Sequence, residues 1–405
     1  MNPELDLLQP YPFEKLRALL GPIEPPSLKP VSLSVGEPKH PAPQFVLDAL
    51  VDSIRSVESY PSTRGLEELR QTIAIWLCQR FKLDSPTKLA EHHVIPVNGT
   101  REGLFAIAQC VLDRTQHSRT VLMPNPFYQI YEGAALLAGC KPEFFAIDEN
   151  ADDNIEAISD AQWADCQMIY ICTPGNPTGA VNSQASLQRL IEKAQEHDFI
   201  IISDECYSEI YRESAGAPCG LLQAAQAMGL DSFDRCLAFH SLSKRSNLPG
   251  LRSGFVAGDA SLIQRFVEYR TYQGCSMSGA VQQASIAAWN DELHVEQNRR
   301  EYDAKYRAVI DIFKPVLDIQ IPPAGFYLWP ELPVDDQTFT QRLLAEQNVR
   351  VVPGSFLARS PSAQSANPGS RRLRLALVAP LDDCIIAAQR IVHCLETNTA
   401  TALVD

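Results

Sequence analysis

Long hydrophobic runs are missing from this 405-residue sequence. Its longest apolar stretches, such as FIII at 199–202, are far too short to cross a bilayer. The opening residues MNPELDLLQPYPF hold neither a basic segment nor an apolar core, so no signal peptide is expected. Paired cysteines are missing too. None of the 11 cysteines stands in a CxxC pair, and an odd, dispersed set at mostly apolar positions points to reduced thiols in the cytoplasm rather than a disulfide framework. Metal-ligand spacing is lacking. His92 and His93 are adjacent without an HExxH context. Asp148, Asn150 and Asp152 imitate the start of a calcium loop, but Asp153 replaces its glycine and Ser159 its final glutamate. Positive charge is in deficit. With 35 Lys and Arg against 49 Asp and Glu, the net charge of -14 makes nucleic acid and anionic membrane surfaces poor partners. No internal repeat is present.

What is there is a globular composition, 45% hydrophobic and 21% charged, over a length that suggests two or three domain-sized units. Seven prolines between Pro22 and Pro43 predict a stiff, extended arm. From about 50 to 260, short apolar runs alternate with helical patterns. The runs are HVIPV (93–97), TVLMP (120–124), EFFAI (143–147), MIYIC (168–172), FIIIS (199–203), CLAFH (236–240) and GFVAG (254–258). Continuous apolarity over such lengths fits strands buried on both faces. Between two of them, residues 182–198 place Leu187, Leu190, Ile191 and Ala194 on one helical face, with Asn182 or Ser183 as the cap. This alternation predicts an α/β fold with a largely parallel sheet. After about 290 the pattern changes. Residues 291–316 predict one long charged helix able to bridge two domains. Short strand-like runs follow at GFYLW (325–329), VRVVP (349–353) and RLRLALV (372–378), then a last helix near 381–396, and residues 359–372 read as a polar loop. These predict a smaller α+β domain completed by the N-terminal arm.

Three of the apolar runs end in reactive residues. MIYIC leads to Asn176 in TPGNPTG, FIIIS to Asp204 and Tyr207 in DECY, and CLAFH to Lys244 in SLSK. Open α/β sheets bind ligands at the carboxyl ends of their strands, so these positions can share one crevice. A lysine amine, a carboxylate, a phenol and an amide suit pyridoxal phosphate. The amine can take the cofactor's aldehyde, and the carboxylate can favour a protonated pyridine nitrogen. Ser241, Ser243 and Arg252 can supply hydroxyls and a cation to the phosphate, and the turn Asn98-Gly99-Thr100-Arg101 can supply amides at a helix start.

With those residues in view the sequence resembles the class I aminotransferases of the aspartate aminotransferase superfamily, fold type I. The resemblance rests on LSVGEP (33–38), YPSTRGLEELR (60–70), NGTREG (98–103), PFYQIY (126–131), NPTG (176–179), DECY (204–207), SLSKRSNLPGLRSG (241–254) and RLRLAL (372–377), in the family's order along nearly the whole chain. It implies a mainly parallel seven-stranded central sheet flanked by helices, with a small domain built from both termini. The corresponding boundaries are 1–48 for the arm, 49–292 for the large cofactor-binding domain and 293–405 for the small domain. It further implies that Lys244 is the Schiff-base lysine and proton shuttle, that Asp204 pairs with the pyridine nitrogen, and that Tyr207 and Asn176 bond the phenolic oxygen. Tyr128 would stack on the ring. Gly99, Thr100, Arg101, Ser241, Ser243 and Arg252 would hold the phosphate, and Tyr60 would reach the phosphate of a neighbouring subunit in a homodimer. Arg374 would clamp the substrate α-carboxylate, with Gly36 close to it. SLSKRSN, GLRSGFVAGD and NPELDLLQPYPFEKLRAL are similar, more narrowly, to the N-succinyl-diaminopimelate aminotransferases of bacterial lysine synthesis. That implies glutamate as donor, N-succinyl-2-amino-6-oxopimelate as acceptor and a ping-pong reaction.

Plainer readings stand beside these. Alone, Lys244 is a surface lysine, Asp204 a helix cap, Asn176 a turn residue, Tyr128 core packing and Tyr60 a surface ring. Arg374 competes with Arg371 and Arg372, but its alternation with Leu373 and Leu375 puts it on one strand face. Arg245 is either a solvated charge or a contact for a distal substrate carboxylate. A carbon–sulfur lyase shares every cofactor residue, aspartate or aromatic specificity is open, and a non-catalytic regulator keeps the fold. Against the last stand the intact lysine and aspartate and the acidic balance of the chain.

Overall fold

The computed structural model describes residues 1–117, 119–147, 151–360 and 365–401. Strand β1 (Val31–Ser32) lies in the N-terminal arm. Seven strands then form the main sheet: β2 (Val94–Val97), β3 (Thr120–Asn125), β4 (Lys141–Ala146), β5 (Cys166–Cys172), β6 (Ile200–Asp204), β7 (Cys236–Ser241) and β8 (Gly254–Gly258). Their order is β2-β8-β7-β6-β5-β3-β4, and only β8 runs against its neighbours. All seven apolar runs of the sequence are strands of this one sheet.

Alternation along each strand explains the continuous apolarity. Ile169, Ile171, Ile201, Cys236 and Ala238 face one core cluster, while Met168, Tyr170, Ile202, Leu237 and Phe239 face another on the opposite side. A sheet covered on both faces has no solvent-facing positions to make polar. The helix Gln184–His197 covers one face with Leu187, Leu190, Ile191 and Ala194, and its cap Ser183 accepts from the Ser186 amide. The edge strand β4 is the least buried.

Strand register aligns the ends of the three central strands. Cys172 pairs with Asp204, and Asp204 with Phe239, so β5, β6 and β7 end side by side. The segments leaving them carry Asn176, Tyr207 and Lys244.

A second core collects β1, β9 (Tyr327–Leu328), β10 (Val349–Arg350), β11 (Val352–Pro353) and β12 (Leu373–Ala376). β1 pairs in parallel with β10, and the order β11-β12-β9 is antiparallel. Val31 and Leu33 of the arm are buried here with Phe313, Phe339, Leu375 and Ile391. The helix Leu293–Phe313 buries Val295 and Asn298 in its first half, and its last turns enter this second core. The last helix runs Leu381–Thr401.

Residues 22–43 hold no helix, as expected of the proline-rich arm, but the helix Pro12–Leu20 before them, which packs Leu16 and Leu20 against Leu344 and Val352, was not expected. Pro12 at its first position and Gly21 after its end were the available signals. The calcium-like start falls partly on Asp148 and Asn150, which lie outside the described residues, as do residues 361–364 of the polar loop. Among the described residues no group of His, Cys, Asp and Glu has the arrangement of a metal site, and no helix is long and apolar enough to cross a membrane. His93 is buried, with Nδ1 at 2.8 Å from the Gly258 carbonyl.

Candidate active site

A cleft of ≈ 470 Å³ opens where β5, β6 and β7 end, between the main sheet, the arm and the second core. It has the size of a small-molecule site. Gly36, Thr100, Arg101, Tyr128 and Asn176 line it, as do Asp204, Tyr207, Ser241, Ser243, Lys244, Arg252 and Arg374.

Lys244 sits in the one-turn helix Leu242–Arg245 that follows β7. Its amine donates to the Gly36 carbonyl and lies 5.5 Å from the Phe326 ring centre. Burial lowers its pKa from 10.5 to about 8, with Arg374 adding to the shift. A substantial neutral fraction near neutrality is what an amine needs in order to attack or to take a proton.

Asp204 ends β6 and is only 5% exposed. Its Oδ2 accepts from Tyr131 Oη at 2.7 Å and its Oδ1 from the Cys206 amide at 3.2 Å. Burial pushes the carboxyl up, and the hydrogen bonds from Cys206 and Tyr131 pull it back. A cation brought beside it would favour the carboxylate further.

Asn176 and Arg374 meet across 198 positions of sequence. Arg374 Nη1 donates to Asn176 Oδ1 at 3.3 Å, and Nη2 donates to the Ser34 carbonyl at 2.9 Å. Its Nε is buried without a hydrogen-bond partner among the described residues, and the guanidinium lies 4.8 Å from the Tyr327 ring centre. Arg371 and Arg372 bond the Leu332 and Trp329 carbonyls and approach Glu331 instead. Tyr207 Oη lies 3.0 Å from Tyr327 Oη.

The other end of the cleft is built around small groups. Ser241 Oγ bonds the Ser243 hydroxyl and caps the Ser243 amide. Gly99 opens the helix Thr100–Val111 at φ +80°, and a Cβ there would stand 2.2 Å from Arg252 Nη2. Only glycine allows this approach of a guanidinium to a helix N-terminus, an arrangement that suits an anion such as phosphate. Thr100 Oγ1 lies 3.0 Å from Cys206 Sγ. The Tyr128 ring stands edge-on to Tyr131, and its hydroxyl takes a 2.6 Å bond from Arg101 Nε. These residues fit pyridoxal phosphate, because an anion cradle, a buried carboxylate and an amine of lowered pKa line one cleft.

Two predicted positions lie elsewhere. Tyr60 is fully exposed at 104% and is not part of this chain's cleft. Arg245 turns away from it. It is 2% exposed between Trp289 and Trp76, 4.7 and 5.6 Å from their ring centres, and bonds the Ala288 and Asp291 carbonyls and Glu292. It is neither solvated nor available to a substrate, because a long cation next to two indoles and a carboxylate is better satisfied in the interior.

Sequence reasoning missed Tyr11, Phe13, Tyr131 and Tyr327. Tyr11 and Phe13 enter the cleft from the unexpected first helix, and Tyr327 lies against Gly36, where a Cβ would stand 1.9 Å from its hydroxyl. Tyr131 follows Tyr128 by three residues, and its amide donates to the Tyr128 carbonyl at the start of the helix Ile130–Leu137.

The profile described as aminotransferase class I and II matches residues 29–391. An LL-diaminopimelate aminotransferase of Maridesulfovibrio salexigens is 30% identical over 395 residues, covering 96% of this chain and 97% of the relative. The crystal structure of an aminotransferase from Neisseria meningitidis is 44% identical with a TM-score of 0.91, covering 98% of this chain and 100% of that one. A probable N-succinyldiaminopimelate aminotransferase from Thermus thermophilus is 25% identical with a TM-score of 0.81, covering 95% and 99%.

Proposed function

The chain belongs to the class I and II aminotransferase family, and from that premise we propose that it exchanges an amino group between glutamate and an oxo acid with an anionic tail, N-succinyl-2-amino-6-oxopimelate. It is a pyridoxal-phosphate-dependent transaminase. The cofactor supplies an aldehyde that takes an amine and a ring that accepts the electron pair left when an α-proton departs.

The chain's own residues do the rest. Gly99, Thr100, Arg101, Ser241, Ser243 and Arg252 would hold the phosphate, Tyr128 would cover the ring, and Asn176 and Tyr207 would bond its phenolic oxygen. Asp204, whose charged form is favoured by the bonds from Tyr131 and the Cys206 amide, would pair with the ring nitrogen. Arg374 receives the substrate α-carboxylate in a charge-assisted pair that fixes the α-carbon, with Gly36 beside it. Lys244 would be the covalent anchor for the aldehyde and, once released as a free amine, the base that takes the substrate α-proton and the acid that gives it back. Donor and acceptor use these steps in opposite directions, so the kinetics are ping-pong.

The observation that carries the substrate class is Arg374, whose guanidinium lines the cleft with Lys244 and whose Nε has no partner among the described residues, which suits a carboxylate. The other cations of the lining, Arg101, Lys244 and Arg252, go to the phosphate and the aldehyde on this reading, so the distal group is argued from similarity, and the probable N-succinyldiaminopimelate aminotransferase of Thermus thermophilus supports the succinylated substrate. LL-diaminopimelate itself is the second reading, favoured by the Maridesulfovibrio salexigens relative. The protein acts as a cytoplasmic homodimer on this reading. Val51, Val57 and Tyr60, close in sequence and exposed by 67%, 61% and 104%, are side chains that a second copy would cover.

The test is the visible spectrum of cofactor-loaded protein during single additions of glutamate, N-succinyl-LL-diaminopimelate, LL-diaminopimelate, aspartate and cysteine. Conversion to the amine form of the cofactor by the first two, reversed by their oxo acids, is expected. Conversion mainly by LL-diaminopimelate or aspartate would move the specificity. Pyruvate released from cysteine without an oxo acid would indicate the lyase.

A further inference from the structure

His40 stands outside the cleft, four residues beyond Gly36 on the arm, with its side chain only 10% exposed. Its Nε2 lies 2.6 Å from Lys305 Nζ and its Nδ1 lies 2.7 Å from Asn298 Oδ1. Asn298 Nδ2 lies 3.3 Å from the Lys244 carbonyl and 3.5 Å from that of Arg245. Asn298 and Lys305, both on the helix Leu293–Phe313, are each 3% exposed.

The chemistry of the four groups sets one direction for this chain. An ammonium only donates, so His40 Nε2 accepts from Lys305. A neutral imidazole then carries its proton on Nδ1, which donates to Asn298 Oδ1. That leaves the Asn298 amide nitrogen facing two carbonyls, the arrangement in which it donates. Those carbonyls belong to the one-turn helix Leu242–Arg245, whose C-terminal acceptors have no helical donors of their own.

We propose that Asn298 and His40 are positioning residues for Lys244, forming with Lys305 a one-way hydrogen-bond chain that ties its main chain to the arm segment that also holds its amine. The amine bonds the Gly36 carbonyl, and the carbonyl is reached through Asn298 from His40. Lys244 is thus fixed at both ends by residues four apart. Val31 and Leu33 root the same arm in the second core. This inference rests on the reading of Lys244 as the reactive lysine.

Protonation of His40 opposes the chain. The charged and polar groups against its ring are Lys305, Glu301, Asn298 and the Tyr302 ring at 4.7 Å, all on the one helix. On its own segment Glu37 and Lys39 pair with each other at the surface. A protonated Nε2 would face Glu301, 3.3 Å away, and repel Lys305. Burial and Lys305 hold the His40 pKa below its ordinary value, against the Asn298 bond and Glu301, which keeps the neutral form at neutral pH.

The variants are Asn298→Ala, Asn298→Asp, His40→Ala and His40→Gln. Asn298→Asp keeps the shape and replaces the donor with an anionic oxygen that faces the two carbonyls, whereas Asn298→Ala removes the donor without adding charge. His40→Gln can still accept from Lys305 and donate to Asn298. Two readouts are taken: kcat and KM for glutamate in the holoenzyme, and the rate of reductive methylation of Lys244 in the apoprotein, read by mass spectrometry. Loss of the link is expected to lower kcat about tenfold with KM little changed, the size of one lost hydrogen bond in the transition state. It is also expected to speed methylation of Lys244, and His40→Gln is expected to restore both. Asn298→Asp and His40→Ala matching the wild type in both readouts would overturn the proposal, as would a loss of thermal stability alone. Failure of the underlying reading is seen separately, in a Lys244→Ala variant that still fixes pyridoxal phosphate covalently after borohydride reduction.

Discussion

Tyr131 donates its hydroxyl proton to Asp204 Oδ2 across 2.7 Å, and both side chains are buried. Tyr131 is itself held by stacking on Tyr170, with ring centres 4.5 Å apart and planes 11° apart. The bond favours the charged form of Asp204 while burial disfavours it. Removing the hydroxyl in Tyr131→Phe leaves burial less opposed, so the Asp204 pKa rises. The acid limb of the kcat/KM profile is then expected to move to higher pH. At its optimum the variant is expected to lose about 2 kcal/mol of transition-state stabilisation, the worth of a hydrogen bond to a charged group. Asp204→Asn is expected to be more damaging, because no carboxylate remains to be recovered at high pH. Steady-state kinetics across pH separate the two variants.

Arg374 has one terminal nitrogen on Asn176, another on the Ser34 carbonyl, and a buried Nε with no partner among the described residues. On the proposed reading it takes the substrate α-carboxylate in a planar two-point pair. Arg374→Lys keeps the charge and loses the fork. KM for glutamate and for its oxo acid is expected to rise by roughly a hundredfold in parallel, about 2.7 kcal/mol, since both carry the same carboxylate. Binding of the cofactor, measured by absorbance titration, is expected to stay near wild type. A variant that lost the cofactor instead would assign Arg374 to the phosphate end.

The amine of Lys244 titrates near 8 in the folded chain against 10.5 for an ordinary lysine, through burial. Between those values the unfolded chain binds more protons, so folding stability rises with pH across this window. Below pH 8 both states are protonated and the whole cost of burying the charge remains. Lys244→Met removes that cost. Its apoprotein is expected to be more stable than the wild-type apoprotein at pH 7, by on the order of 2–3 kcal/mol. The advantage is expected to shrink steadily toward pH 10.5. Urea unfolding of both at pH 7 and pH 10 reads the difference, and other titrating groups cancel in the comparison. An advantage independent of pH would mean that the amine is not desolvated.

The sheet was legible in the sequence because its strands are covered on both faces. MIYIC and FIIIS stay apolar throughout, and Ile169 and Tyr170 find different cores. The cleft residues after β5, β6 and β7 were legible because strand ends are where such sheets place ligands. Arg245 was not. One position past Lys244 it reads as a surface charge, and only the fold brings Trp76, Trp289 and Glu292 around it. His40 and Asn298 were illegible for the same reason, being 258 positions apart and joined by one bond. Tyr131 was in plain view within PFYQIY. Its role depends on which way a helix faces, and eight helical residues carry too little pattern to say. The helix Pro12–Leu20 was hidden because the prolines around it dominate the composition.

Tyr60 is the proposed residue that this chain's own cleft does not contain. It is fully exposed, as are Val51 and Val57 nearby in sequence, although aromatic and branched side chains are usually covered. On the homodimer reading, the Tyr60 of one subunit completes the phosphate site of the other. Tyr60→Ala is then expected to weaken pyridoxal-phosphate binding by about tenfold, one hydrogen bond to an anion, without altering KM for glutamate once cofactor is saturating. Subunit mixing is the sharper measurement. Lys244→Ala subunits have no reactive amine but an intact Tyr60, and Tyr60→Ala subunits the reverse. In a mixed dimer one site has both groups and the other has neither. Unfolding the two variants together and refolding them at limiting cofactor is therefore expected to give more activity than the sum of the two refolded apart. An activity equal to that sum would show that each site is complete within one chain.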